Sequence, residues 1–316
     1  MIQLVNAFRG GALLVARSDL STLEVVGPDR TSWLQAVLTN DLAPVSQGRG
    51  VYALSLNKKG KIVADLVVAA CGETLLLSVH DTVAQEALDH LDRLLVMEDA
   101  EVRRRPEPLS AVHVVGPAAP SLLQAARRSD GLVAAVPALL AGHEGAALWF
   151  HAGAQDRFLT QVCSESANVR CTDAPTFDRV RPLLGWPGFP ADFNPECYPQ
   201  EAGLDDRAVS FTKGCYPGQE LVVKMRSRGH PSRSLVRVVA PGEGRNQPWA
   251  AGTSVLDAAG AKLGVVTSAA LLPDPFRLVA FAMLKWSQSN PGTSVRVDGI
   301  EGRLTSAWGL LDPPAP

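Results

Sequence analysis

The chain has 316 residues, of which 46% are hydrophobic and 20% charged, and its formal net charge is −2. This length exceeds what one compact core holds and predicts a globular protein of two or three domains. The near-neutral charge argues against a protein whose surface as a whole binds nucleic acid. No run approaches the roughly 20 apolar residues of a membrane-spanning helix, and the N-terminal segment lacks a basic region followed by an apolar core, so we expect neither a membrane protein nor a secreted one.

The first pattern along the chain is an internal repeat. The segments VVGPDRTSWLQA at 25–36 and VVGPAAPSLLQA at 114–125 match at eight of twelve positions. Each predicts an apolar strand, a Gly-Pro turn and the start of a helix that carries Leu34 or Leu123 inward. A chance match of short signals is the alternative, but two such units predict two related α+β lobes.

A meander follows the first unit. Apolar runs at 51–56, 61–69 and 74–79 are separated by turn residues, which predicts three antiparallel strands. Apolar residues then recur every four positions from residue 83. This spacing predicts a helix that lies on the sheet, with Asp81 as its N-cap.

The character of the chain changes twice in its second half. Residues 182–217 are rich in proline and glycine, and aromatic side chains such as Trp186 and Phe193 favour an ordered loop. From about residue 232, the short apolar runs SLVRVVA, KLGVVTSAAL, RLVAFAMLKW and SVRVDG, which are broken by glycine and proline, predict a small all-β barrel. We therefore expect a module over 1–231, with lobes at roughly 1–106 and 107–231 that are free to interleave, and a C-terminal β-barrel over 232–316.

Residues 211–224, FTKGCYPGQELVVK, contain the pattern that most strongly suggests chemistry. The Pro-Gly order within Tyr216–Gln219 predicts a type II turn, and the residues from Glu220 onward are expected to be helical. Cys215 would then precede a helix N-terminus with Lys213 close by, and both features favour the negatively charged thiolate. For a single cysteine, the alternative is a small buried hydrophobic side chain.

The other cysteines form no motif. None of the five cysteines lies in a CxxC pair, so we expect neither a zinc site nor a disulfide framework, and the cytoplasm is the default compartment. The remaining four are Cys71, Cys163, Cys171 and Cys197.

The octapeptide KGCYPGQE at 213–220 resembles the K-G-C-Y-x-G-Q-E signature of the YgfZ family, folate-binding proteins related to the T-protein of the glycine cleavage system. Further segments resemble that superfamily in the same order, namely GPDRTSWLQAVLTNDL, LNKKGKIVADL, RPLLGWP, PQEAGL and AKLGVVTSA. The resemblance implies an α+β fold in which two related lobes and a small β-barrel surround a central channel for tetrahydrofolate or a one-carbon derivative. This agrees with the repeat and the all-β C-terminal region.

The resemblance also implies roles for individual residues. Glu201 in PQEAGL corresponds to the carboxylate that accepts hydrogen bonds from the N–H edge of the pterin, whereas an exposed loop glutamate is the alternative. Asp41, Asn57 and Arg181 correspond to positions that line or brace the channel. Within the motif, Cys215 and Lys213 are the expected reactive groups, supported by Gly214, Tyr216, Gly218, Gln219 and Glu220.

A basic stretch follows the motif. KMRSRGHPSR at 224–233 contains five basic side chains and no Phe, Trp or Tyr. It is either a solvated face or an anion site, for the glutamate tail of folate or for an RNA phosphate, and we assign Arg228 to folate. Because no aromatic residue is interleaved, direct RNA binding is not expected.

Three functions stay open on the sequence. A T-protein type aminomethyltransferase needs an aspartate where ungapped alignment puts Ala87, although a shifted register would bring Glu86 or Asp89 there. A YgfZ-type protein that assists the assembly or repair of iron–sulfur enzymes, including those that modify tRNA, accounts for Cys215, which the T-protein lacks. A folate carrier without chemistry is the third. We expect the second function, with transient iron–sulfur client enzymes as partners, and leave open whether the protein catalyses any reaction.

Overall fold

The computed structural model describes residues 1–140, 142–242, 244–273 and 276–311. Its helices are α1 (Ile2–Gly10), α2 (Arg30–Val37), α3 (Ala84–Asp92), α4 (Ala119–Ala126), α5 (Ala154–Glu165), α6 (Ala174–Leu184) and α7 (Gln219–Arg228). Its strands are β1 (Ala12–Ala16), β2 (Leu20–Val26), β3 (Val51–Leu56), β4 (Ile62–Cys71), β5 (Thr74–His80), β6 (Glu101–Arg104), β7 (Leu109–Val115), β8 (Leu132–Leu140), β9 (His143–His151), β10 (Val169–Asp173), β11 (Arg233–Pro241), β12 (Ser254–Leu256), β13 (Lys262–Pro273), β14 (Phe276–Lys285), β15 (Ser294–Val297) and β16 (Ile300–Ser306).

These elements form two open five-stranded sheets and one closed six-stranded barrel. The predicted fold class, two α+β lobes with a C-terminal barrel, is therefore confirmed. Within the described ranges, none of the helices has the length and apolar character needed to cross a membrane.

The first sheet has the strand order β3-β4-β5-β2-β6 and is antiparallel throughout. The predicted meander corresponds to β3, β4 and β5 and is confirmed. Helix α3 packs against β4 and β6 of this sheet.

The approach to α3 differs from the prediction. Residues 81–83 form a 3₁₀ turn, and it is the side chain of His80 that accepts a hydrogen bond from the backbone N–H of Thr82. Asp81 is therefore not the N-cap of α3, and its carboxylate instead accepts a hydrogen bond from the Ser21 hydroxyl at 2.5 Å. The prediction was wrong because α3 begins only at Ala84, with Val83 at the N-cap position and no side-chain cap, and the 3₁₀ turn before it is capped by His80.

The second sheet has the strand order β10-β1-β7-β9-β8. Strand β1 is parallel to β10 and antiparallel to β7, whereas the other neighbouring strands are antiparallel. The N-terminal segment thus adds a central strand to a sheet whose other strands all come from residues 109–173.

The internal repeat is one strand–turn–helix unit in each sheet. Strand β2 leads through Gly27 into α2, and β7 leads through Gly116 into α4. Both glycines have positive φ, 99° and 113°, and a Cβ at either position would lie within 3 Å of a backbone oxygen. Leu34 and Leu123 are buried, as the repeat predicted.

Cys163 and Cys171 form a disulfide bond, which corrects the expectation of none. Cys163 lies on α5 and Cys171 on β10, and their Cα atoms are 6.5 Å apart. The expectation was wrong because CxxC spacing marks metal and redox motifs, whereas eight residues are enough for the chain to turn from a helix into the neighbouring strand. Cys71, Cys197 and Cys215 are free thiols.

The C-terminal barrel closes in the order β11-β14-β13-β12-β15-β16. It begins at Arg233, next to the predicted start near residue 232, and its interior is filled by aliphatic side chains such as Val238, Leu278 and Leu304. The sequence analysis missed β12, which has three residues, and β16, in which charged residues interrupt the apolar run.

The chain divides into two compact units. One contains residues 1–5, 175–204 and 222–316 with the barrel, and the other contains residues 6–174 and 205–221 with both sheets. The segment with the cysteine motif thus belongs to the sheet-containing unit, whereas the loop with Glu201 belongs to the barrel-containing unit. The domain limits at 106 and 231 stay a prediction.

Candidate functional site

Cys215 is exposed and directly precedes the turn Tyr216–Gln219, the cysteine turn, which leads into α7. The backbone N–H of Gln219 donates to the carbonyl of Tyr216 at 3.2 Å, and Gly218 between them has a φ of 79°. A positive φ at the third turn position is what a type II turn requires, so the predicted turn and the helix after it are confirmed. The thiol is therefore presented to solvent on a short, well-defined turn.

This turn packs on the hairpin between β3 and β4. A Cβ added to Gly218 would lie 2.6 Å from the carbonyl oxygen of Asn57 and 2.8 Å from the Cα of Gly60. Asn57 shapes the hairpin, because its Oδ1 accepts hydrogen bonds from the backbone N–H groups of Lys59 and Lys61. Asn57 thus forms part of the platform on which the cysteine turn sits.

Gly218→Ala is expected to lower the free energy of unfolding by about 2 kcal/mol, because a left-handed backbone is unfavourable for alanine and its Cβ would meet three backbone atoms within 3 Å. Gly214→Ala is the matched control in the same motif, since a Cβ there meets nothing within 4 Å and the change is expected to stay within about 0.5 kcal/mol. Urea unfolding of both variants measures the difference, and equal losses would contradict the packing of this turn.

Lys213 ties the cysteine turn to the end of α2. Its Nζ donates to the carbonyl oxygens of Gln35, Leu38 and Asn40 at distances of 2.5–3.0 Å. Burial lowers the pKa of Lys213 to about 8, and the negative charge of Asp41 opposes this shift. Of these three carbonyls, that of Gln35 lies in the last turn of α2, where a helix end leaves C=O groups without intrahelical partners.

All three ammonium protons of Lys213 thus have carbonyl partners. Positioning of the cysteine turn is a role that the sequence analysis did not foresee, whereas stabilisation of the Cys215 thiolate by Lys213 stays a prediction.

The Asp41 side chain is also held in place, because its Oδ1 accepts hydrogen bonds from the Gln35 side chain and from the backbone N–H of Ala43, both at 3.1 Å.

The buried side chain of Tyr216 anchors the first residue of the cysteine turn. Its ring is buried, with the Lys213 Nζ 5.7 Å from the ring centroid. Burial raises the pKa of the Tyr216 hydroxyl to about 12, and this hydroxyl has no hydrogen-bond partner in the described part of the chain. The two other motif residues, Gln219 and Glu220, form the first turn of α7, where a carboxylate is favoured by the helix dipole.

In the barrel-containing unit, Glu201 is a buried residue and not an exposed loop glutamate. Its side chain is 3% exposed. One carboxylate oxygen accepts from the Ser232 hydroxyl and Arg233 Nε, both at 3.1 Å. The other accepts from the Tyr198 backbone N–H at 3.1 Å and from Arg233 Nη2 at 3.3 Å. The sequence analysis placed Arg233 in the basic stretch and missed this ion pair.

Gln200, next to Glu201, was also missed. Its Nε2 donates to the carbonyl of Val222 at 2.8 Å, which fixes the amide orientation. Its Oε1 is buried and has no hydrogen-bond partner among the described residues. A buried acceptor without a donor is costly, so this oxygen is suited to an N–H group that the chain itself does not supply.

The Arg181 side chain is buried and forms hydrogen bonds with other residues of the barrel-containing unit. Its guanidinium donates to the Asp192 carboxylate at 2.5 Å and to the Trp186 carbonyl at 3.2 Å. The other oxygen of Asp192 accepts from the hydroxyls of Thr267 and Ser268 on β13, each at 2.6 Å. These contacts support a bracing role for Arg181, which fastens the loop after α6 to the barrel.

The two remaining positions raised by the sequence lie on helices. Arg228 is exposed in the last turn of α7, and its side chain has no hydrogen bond or ion pair within the described residues. Ala87 is fully buried in α3, whereas Glu86 and Asp89 are exposed on that helix. The position that alignment equates with the transferase aspartate therefore faces the core.

The predicted site residues fall into two groups. Asp41, Asn57, Lys213 and Cys215 lie in the sheet-containing unit, where direct contacts connect the cysteine turn to the β3–β4 hairpin and to the segment after α2. Glu201, Arg181 and Arg228 lie in the barrel-containing unit.

Comparisons with known proteins identify relatives of two kinds. The family described as GCVT N-terminal domain matches residues 2–144. An aminomethyltransferase from Streptomyces avermitilis is 30% identical over 311 residues, which cover 91% of this chain and 82% of the relative. The tRNA-modifying protein YgfZ from Yersinia enterocolitica is 26% identical over 254 residues, which cover 76% of each protein.

A solved structure agrees in fold. The glycine cleavage system aminomethyltransferase T from Bartonella henselae superimposes with a TM-score of 0.76 and 21% identity, over 98% of this chain and 91% of that one. The predicted resemblance is confirmed: the chain belongs to the GCVT family, and its relatives include both aminomethyltransferases and YgfZ proteins.

Proposed function

We propose that this protein is a YgfZ-type folate-binding factor that assists iron–sulfur enzymes, including tRNA-modifying ones, in the cytoplasm. The observation that carries the proposal is the exposed Cys215 thiol, held on its turn by Gly218 and Lys213 within the KGCYPGQE motif. The structure contains the Cys163–Cys171 disulfide, and in this compartment we expect cellular reductants to open it.

The chemistry proposed for Cys215 is transient ligation of iron. A thiolate is a soft ligand for iron–sulfur centres, but such clusters are generally held by four ligands. One exposed thiol therefore suits a factor that contacts the iron–sulfur centre of a client protein and then releases it.

Aminomethyl transfer is the second candidate, and the 30% identity to an aminomethyltransferase favours it. The buried Ala87 argues against it, because a methyl group neither accepts a proton nor stabilises a developing positive charge. We expect the purified protein not to release methylenetetrahydrofolate from an aminomethylated carrier protein. Turnover well above the rate without enzyme would restore the transferase function.

The residues around Glu201 fit a folate. Bound tetrahydrofolate supplies a reduced pterin that can carry a one-carbon unit. We propose that Glu201 and the unpaired Gln200 Oε1 accept hydrogen bonds from the pterin N–H edge. The Glu201 carboxylate already accepts four hydrogen bonds, so one donor has to move away before the pterin can bind it. The Arg233 side chain is 38% exposed and can turn toward solvent. Arg228 is proposed to attract the glutamate tail.

Glu201→Gln is expected to weaken tetrahydrofolate binding roughly ten- to a hundredfold, since charge-assisted hydrogen bonds contribute about 1.5–3 kcal/mol. Isothermal titration calorimetry measures the change. Arg233→Gln is the matched control, because it breaks the same ion pair but keeps the carboxylate, and we expect it to bind folate much as the wild type does. Equal losses in both variants would assign the effect to the ion pair, and unchanged affinity in Glu201→Gln would remove Glu201 from the folate site.

A further inference from the structure

The barrel-containing unit has an unusually basic pair of segments. No aspartate or glutamate occurs in residues 221–242 or 276–297, although the chain as a whole has a net charge of −2. In the structure Arg233 pairs with Glu201 and Arg237 is buried, so neither is counted as part of the exposed basic surface. The basic side chains that stay exposed near the start of β11 and the end of β14 are Lys224, Arg226, Arg228 and Lys285.

An aromatic stack lies within this basic surface. The rings of His230 and Trp286 are parallel within 5°, with centroids 3.9 Å apart. The backbone N–H of Trp286 donates to the carbonyl of Ser232 at 3.1 Å, which holds the tryptophan beside the basic segment. Trp286 is 42% exposed and His230 is exposed, so part of the stack stays open to solvent.

We propose that this surface, formed by Lys224, Arg226, Arg228, His230, Lys285 and Trp286, binds single-stranded RNA. Aromatic platforms flanked by lysine and arginine bind single strands, because the bases stack on the rings while the cations contact phosphates. A duplex keeps its bases stacked inside, and an acidic peptide offers carboxylates without planar bases. Open aromatic surface together with positive charge therefore favours an unpaired nucleic acid.

This surface also revises an expectation from the sequence. Direct RNA binding was not expected because the basic stretch 224–233 contains no Phe, Trp or Tyr, but folding stacks Trp286, from 53 residues farther along the chain, on His230 of that stretch. Arg228 is shared with the proposed contact to the glutamate tail of folate, but the other five residues of the surface have no part in the proposed function, and only the choice of RNA over DNA rests on it.

The test is fluorescence anisotropy of the full chain with a labelled oligouridylate of about 12 nucleotides, which is within the usual site size of such surfaces. We expect binding that weakens between about 50 mM and about 200 mM salt. Trp286→Ala is expected to weaken it about tenfold through lost stacking. Lys224→Glu is expected to weaken it and to reduce the slope of log affinity against log salt by about 0.7.

Arg303→Glu is the matched control for charge. Arg303 is exposed on β16, where it lies opposite Val239 of β11. Val239 is six residues along β11 from Arg233, which corresponds to about 20 Å at the rise of a strand. We expect this variant to bind RNA within about twofold of the wild type, since phosphate contacts act only within the surface. Thermal melting checks that Trp286→Ala and Lys224→Glu stay folded.

Four results would overturn the proposal. The first two are no binding of oligouridylate at low salt and unchanged binding of oligouridylate by folded Trp286→Ala. The third is tighter binding of oligothymidylate or of duplex RNA than of oligouridylate. The fourth is equally tight binding of a polyglutamate peptide, with an affinity that Trp286→Ala does not change. The assay contains neither folate nor a client enzyme, so its failure would leave the proposed function standing, and the loss of that function would leave a positive binding result standing.

Discussion

Cys215→Ala is expected to abolish the support that this protein gives to iron–sulfur enzymes. The side chain is exposed and has no hydrogen bond in the described part of the chain, so the free energy of unfolding should change by no more than about 0.5 kcal/mol. Folate affinity is expected to stay unchanged. The readout is the activity of an iron–sulfur tRNA thiolase in cells that lack their own YgfZ-type factor and express the variant.

Two further variants separate the thiol from its surroundings. Cys215→Ser keeps a hydrogen-bonding side chain of similar size but ligates iron poorly, so it should be as inactive as Cys215→Ala. Cys71→Ala, which removes a different free thiol, should be fully active. Full activity of Cys215→Ala would mean that the function of the motif lies in its turn, with Lys213, Gln219 and Glu220 as the remaining groups.

Asp192→Ala is expected to lower the free energy of unfolding by about 3–5 kcal/mol, more than any other variant proposed here. The Asp192 side chain is fully buried and accepts hydrogen bonds from the Arg181 guanidinium, the Thr267 and Ser268 hydroxyls and the Gly188 backbone N–H. Its removal leaves a buried cation without its main counter-charge. Urea unfolding measures the change.

Asp178→Ala is the matched control, because Asp178 pairs with the same arginine at 2.8 Å but has a side chain that is 60% exposed. Exposed ion pairs contribute about 1 kcal/mol or less, so this variant should stay close to the wild type. Similar losses in the two variants would contradict the assignment of the Asp192 pair as the buried brace of the loop.

The features that the sequence predicted correctly are those decided over a few residues. The Gly-Pro turns of the repeat need a backbone conformation that glycine adopts readily, and Gly27 and Gly116 have it. The turn before α7 has its glycine at the position that needs a positive φ, so local chemistry was enough to place Cys215 in front of a helix.

The features that the sequence did not reveal are pairings between distant residues. Lys213 binds carbonyls of residues 35–40, Glu201 pairs with Arg233, and Trp286 stacks on His230. A sequence shows which side chains have charges, donors or rings, but the fold decides which of them meet. For the same reason no short-range signal indicated that β1 pairs with β10, more than 150 residues later.

The level of thiolated tRNA nucleosides in cells that lack their YgfZ-type factor and express the wild-type chain tests the proposed function most directly. We expect expression of this protein to restore thiolation toward the level of cells that have the factor. Unrestored thiolation, with the protein present and folded at normal amounts, would contradict a YgfZ-type function.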